Sequence, residues 1–124
     1  MKRYCLTLDL KDDSTLIKEY AEWHKNVWPE VVESIKNTGV IEMAIYRLNN
    51  RLFMIMETED SFSFEKKAIM DAENEKVQEW ERIMWKYQQE IPGTKAGEKW
   101  VLMDNMFSLK KALQLINKQV LNHR

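Results

Sequence analysis

Cysteine is almost missing from this chain of 124 residues: Cys5 stands alone, so no internal disulfide and no Cys-type zinc site can be built. A reducing compartment suits that usage, and the cytoplasm is the expected location. Three glycines and two prolines are too few for a glycine-rich phosphate cradle or a low-complexity linker. No paired histidines at zinc-binding spacing, no Cys-x-x-Cys and no G-x-S-x-G elbow occur, so neither metal nor cofactor is expected. The start MKRYCLTLDLKDD is charged, and no stretch approaches the roughly 18 apolar residues of a membrane span. Neither sign of charge prevails: 19 Lys and Arg face 20 Asp and Glu, a net of -1 without long blocks, which makes nucleic acid and anionic membrane poor partners.

The length fits one domain and excludes two, and 44% hydrophobic residues suffice for a modest core. Aromatics stand out, with five tryptophans and four tyrosines. Core packing is the ordinary role of tryptophan, but its flat ring also suits the apolar faces of a pyranose.

Residues 2 to 10 alternate, with Tyr4, Leu6, Leu8 and Leu10 on one face, and predict a half-buried strand. Asp12, Asp13 and Ser14 offer N-cap chemistry to a helix marked by Leu16, Ile17, Tyr20, His24 and Val27. Pro29 predicts a break at Asn26 to Trp28 and a second helix through Val31, Val32 and Ile35, closed by Gly39. Residues 41–48 and 51–58 flank Asn49-Asn50 and predict a β-hairpin. Asp60 and Ser61 offer caps to a helical region reaching Tyr87, interrupted near Asn74 and closed by Pro92-Gly93. After the turn-rich residues 92–97, residues 98–108 read as a last strand and 109–122 as an amphipathic helix.

The order β-α-β-β-α-β plus a helix predicts an α+β, ferredoxin-like split β-α-β antiparallel sheet with helices on one face. Apolar residues on both faces of the hairpin strands argue against a solvated second face. Two copies meeting there would close a dimeric α+β barrel. The expected organisation is a barrel domain over residues 1–108, with residues 109–124 a C-terminal helical extension of it.

Of two histidines, His123 sits one residue from the chain end, leaving His24 as the candidate for chemistry. Tyr20 lies four positions earlier, so both side chains project from one side of a helix. His24 is either a hydrogen-bonded histidine beside the core or a proton-transfer group, imidazole having an ordinary pKa of about 6.5.

The string from Tyr20 through His24 to Val27-Trp28-Pro29-Glu30 resembles the tyrosine, histidine and V-W-P-E cluster of the L-rhamnose mutarotase family. Gly39, Met43-Ala44-Ile45-Tyr46 and Leu52-Phe53 are similar to that family's central hairpin. Val77-Gln78-Glu79-Trp80 resembles the segment leading into its paired tryptophans, and Trp100 to Phe107 its closing strand. The resemblance runs from residue 3 to about 108. It implies a homodimeric, cofactor-free barrel that interconverts the α and β anomers of a 6-deoxyhexose such as L-rhamnose or L-fucose. His24 falls on the family's proton donor and Tyr20 on a sugar-contacting tyrosine. Met43 stands where the family often has another such tyrosine, and Glu81 replaces the second tryptophan after Trp80. The expected site is therefore catalytic His24 with Tyr20, Met43, Tyr46, Trp80 and Glu81 contacting the monosaccharide. Glu81, Tyr46 or water would handle the anomeric hydroxyl. A cofactor-independent monooxygenase on the same barrel, separable by oxygen consumption, and a non-catalytic sugar-binding module are the alternatives.

Overall fold

A computed structural model describes residues 1–95 and 99–122. Residues 96–98, which fall in the expected turn-rich stretch and at the head of the expected last strand, lie outside the described residues. So do His123 and Arg124, the end of the expected 109–124 extension. The order is β1 (Lys2–Leu10), α1 (Ser14–Trp23), a 3-10 turn (His24–Asn26), α2 (Pro29–Asn37), β2 (Val40–Leu48) and β3 (Arg51–Thr58). There follow α3 (Phe64–Glu73), α4 (Glu75–Trp85), β4 (Gln88–Gln89), β5 (Val101–Leu102) and α5 (Leu109–Asn122).

The sheet is antiparallel in the order β2-β3-β1-β4, with β5 also on β1. This is the expected ferredoxin-like topology, with one correction. Residues 98–108 do not form one strand: β4 pairs Gln88 and Gln89 with Leu10 and Asp9, and β5 pairs Val101 and Leu102 with Thr7 and Leu6. The fourth strand is thus two short pieces along the same edge of β1. Short, interrupted pieces are a common way to end a sheet, because a long unpaired edge invites further pairing.

Local chemistry sets the helix ends. The Asp13 carboxylate accepts from Thr15 N and Leu16 N at 3.0 Å each and starts α1. Trp28 is extended, as the residue before a proline must be, and Pro29 opens α2 where its missing N–H costs nothing. Gly39 takes φ +100°, a conformation that a side chain would strain, and turns the chain into β2. Asn49 makes the hairpin turn at φ 54°.

Side-chain alternation divides the sheet. Leu6, Leu8, Leu10, Leu52, Met54 and Met56 face the helices and are buried, Leu8 completely. One core cluster joins Leu10 and Leu52 to Tyr20, Val31, Trp80, Met84 and Tyr87; a second joins Leu6, Val40, Met54, Met56 and Phe62. On the opposite face the β1–β3 register is pinned by a bidentate pair: Arg51 Nε and Nη2 donate to Asp9 Oδ1 and Oδ2 at 2.8 and 3.1 Å. That face also carries Ala44, Tyr46, Leu48, Phe53 and Ile55; Tyr46 is 60% and Leu48 76% exposed in the single chain, and the other three are half-buried.

Candidate functional site

α1 delivers Tyr20 and Trp23 to the edge of the helical layer, and the chain then tightens into the 3-10 turn that begins at His24. His24 therefore sits just past α1 rather than within it, but keeps the expected relation to Tyr20. The two rings stack with centroids 4.4 Å apart and planes at 38°. His24 Nδ1 lies 2.8 Å from the Tyr20 carbonyl oxygen. A carbonyl only accepts, so Nδ1 carries the hydrogen and donates, which fixes the tautomer and leaves Nε2 outside this bond.

α4 closes the other side. Trp80, 8% exposed, meets the half-buried His24 ring edge-on at 5.7 Å and packs edge-to-face against Trp28 at 5.3 Å and Trp23 at 5.9 Å. Lys76 Nζ stands 5.5 Å from the Trp28 ring centre, a cation–π contact that ties the start of α4 to the start of α2. Trp23 Nε1 donates to Tyr87 Oη at 3.1 Å. These fixed rings leave the imidazole little rotational freedom.

Beneath the cluster is a polar residue that no sequence pattern singled out. β4 sets Gln88 opposite Leu10 on the helix-facing side, where it is buried. Its Nε2 donates to Tyr20 Oη at 3.3 Å, while its Oε1 has no partner among the described residues. Burial pushes the Tyr20 hydroxyl pKa up, and the hydrogen bond from Gln88 opposes this in part. Tyr20 therefore stays a neutral phenol at neutral pH, with its own O–H available to donate. The one available signal for Gln88 was its position next to Tyr87 at the end of the helical region.

The remaining candidates are dispersed. Glu81, next to Trp80 on α4, is half-buried and lies 3.5 Å from Gln78 Nε2. Met43 is on the helix-facing side of β2 against the second core cluster. Tyr46, paired with Phe53, points to the opposite face, so one chain does not bring it to His24. Two surface grooves run along α1. One of about 490 Å³ is lined by Lys18, Glu19, Glu22, Trp23, Asn26 and Tyr87, and one of about 650 Å³ lies between the start of α1 and the hairpin turn; His24 lines neither. Among the described residues no three His, Cys, Asp or Glu side chains gather closely enough to hold a metal ion.

The family described as L-rhamnose mutarotase matches residues 3–109 of this chain. An L-fucose mutarotase from Xanthomonas campestris pv. campestris is 40% identical over 117 residues, covering 93% of this chain and 94% of the relative. With so little of the chain left unaligned, that match reaches past Leu109 into α5. Among solved structures, an L-rhamnose mutarotase from Formosa agariphila aligns with TM-score 0.65 at 22% identity, over 88% of this chain and 99% of that one. A dimeric ferredoxin-like protein from an uncultured marine organism aligns with TM-score 0.52 at 13% identity, over 86% and 90%. At such identities these two structures speak for the fold.

Proposed function

The chain belongs to the L-rhamnose mutarotase family, and from that premise we propose that it interconverts the α and β anomers of a 6-deoxyhexose at the cluster of His24, Tyr20 and Trp80. The observation that carries the reading is the His24 tautomer: donation from Nδ1 to the Tyr20 carbonyl turns Nε2 into the working atom. Ring opening breaks the C1–O5 bond, with the anomeric hydroxyl losing its proton and the ring oxygen gaining one. In our reading the protonated His24 gives that proton from Nε2 to the ring oxygen. Rotation about C1–C2 of the open aldehyde and the reverse transfers then close the ring on its other side. No atom is gained or lost and nothing is oxidised. General acid–base help of this kind is worth roughly 10² to 10⁴-fold.

Tyr20 and Gln88 hold the sugar in this reading. The unpartnered Gln88 Oε1 would accept from a sugar hydroxyl, the Tyr20 phenol would donate to another, and Trp80 would wall the site. Glu81 would take the anomeric proton, directly or through water, and Met43 would supply apolar contact. L-fucose leads L-rhamnose as the substrate because the 40% identical relative is named for it. Two copies would pair through the open sheet faces into an α+β barrel, with residues 1–108 as the domain and 109–124 as its extension. The lone cysteine favours the cytoplasm; no helix of the described residues is long and apolar enough to cross a membrane.

The test is saturation transfer between the anomeric proton signals of L-fucose and L-rhamnose, with the protein and with its His24→Asn variant. Asparagine keeps a donor for the Tyr20 carbonyl and removes Nε2. Protein-dependent exchange, reduced roughly 10² to 10⁴-fold in the variant, is the expected result. Exchange that is unchanged in a folded variant would take His24 out of the mechanism.

A further inference from the structure

Half of the exposed large apolar side chains among the described residues lie in one stretch, from Leu102 to Leu121. Within α5, Leu109, Leu113, Ile116 and Val120 recur at intervals of four, three and four, the spacing of a helix-packing seam, and each is at least half exposed in the single chain. A helix with a bare seam of this kind is stable in water only when something covers it. All 20 acidic residues precede α5, the last being Asp104. Residues 1–108 hold 15 of the 19 Lys and Arg, hence a net of -5, while 109–124 holds Lys110, Lys111, Lys118 and Arg124 and no acid.

From this seam and this division of charge we propose that α5 is an exchanged arm, packing on a second copy of this chain rather than on its own. The charge fits that occupant, since the basic arm of each copy meets an acidic body in the other. The seam is aliphatic, with Leu115 and Leu121 extending the exposed apolar surface beside it, and the helix holds no aromatic residue to anchor it in a lipid interface. The proposal rests on the face-to-face dimer described above and adds an embrace to it. It also gives residues beyond the family match a purpose, in keeping with their alignment to the Xanthomonas relative.

The experiment compares the full chain with its Leu113→Gln/Ile116→Gln variant by sedimentation equilibrium, and cross-links a mixture of ¹⁴N- and ¹⁵N-labelled full chains with a carbodiimide that joins lysine to carboxylate. Dimer association weakened roughly a hundred-fold or more in the variant, together with links from Lys110, Lys111 or Lys118 to acids of the other isotope, is the expected result. A full-length dimer of unchanged affinity in the variant, or arm links confined to one isotope, would overturn the exchange and leave the barrel dimer standing. A monomeric full chain would overturn both. Capture of that monomer by phosphatidylserine vesicles would identify lipid as what covers the seam.

Discussion

His24 and Tyr20 show how a short-range pattern turns into a chemical arrangement. Four residues of separation bring the rings together, and the same turn supplies the carbonyl that orients the imidazole. Tyr20 has a second task, visible only with the fold in hand. Burial of its hydroxyl lifts its pKa above the ordinary tyrosine value, against the opposing hydrogen bond from Gln88. Above about pH 10 an unfolded Tyr20 ionises while the folded one still holds its proton. The contribution of Tyr20 to stability is thus fully present below that pH and is lost as the pH rises through the folded pKa. In urea titrations from pH 8 to pH 11, stability should fall more steeply at the alkaline end for the wild-type chain than for Tyr20→Phe. Equal slopes would mean that Tyr20 is not protected from ionisation. Gln88 could not be found from its neighbours in sequence: a glutamine becomes interesting only once a two-residue strand has put it opposite Leu10.

Among the elements, those with period and punctuation were legible. β1 alternates, Pro29 and Gly39 bracket α2, and the hairpin turns at Asn49. Asn74 was visible as an interruption because it serves two helices. Its N–H donates to the Asp71 carbonyl at the end of α3, and its Oδ1 accepts from Lys76 N and Val77 N at the start of α4. Without that side chain, two N–H groups of the first turn of α4 lose their acceptor, and Asn74→Ala should cost about 1 kcal/mol in denaturant unfolding. A loss under about 0.3 kcal/mol would mean that water replaces the cap. Since α4 carries Trp80, a frayed start would also loosen the wall beside His24. The fourth strand is where the sequence pattern and the structure part. Residues 99–108 are apolar without strict alternation, and two residues of strand carry too little period to separate β5 from the extended chain around it. β4 hid for the opposite reason, being two polar glutamines at the end of a helical pattern.

For the molecule as a whole, one face of the sheet lies under helices and carries the proposed site, while the other, bare face is open at Tyr46 and Leu48. Tyr20, His24, Trp80 and Gln88 all lie on the helical side of a single chain, so the proposed chemistry does not require a second subunit to supply a group. Pairing of open faces would instead remove Tyr46, Leu48, Phe53 and Ile55 from water. The two roles can be separated by charging the bare face at exposed Leu48 and half-buried Ala44. In Ala44→Glu/Leu48→Glu the new carboxylates join Glu42 and Glu57 on that face and would be buried beside their symmetry mates in a dimer. In the monomer Leu48 is exposed and Ala44 half-buried, so both carboxylates reach water and should cost about 1 kcal/mol or less each. Sedimentation should then find a folded monomer that still exchanges anomers. A variant that stays dimeric would place the interface elsewhere. A folded monomer without exchange would show that the site depends on the assembly after all, and Tyr46, the one sugar-contact candidate on the bare face, would be the first residue to re-examine.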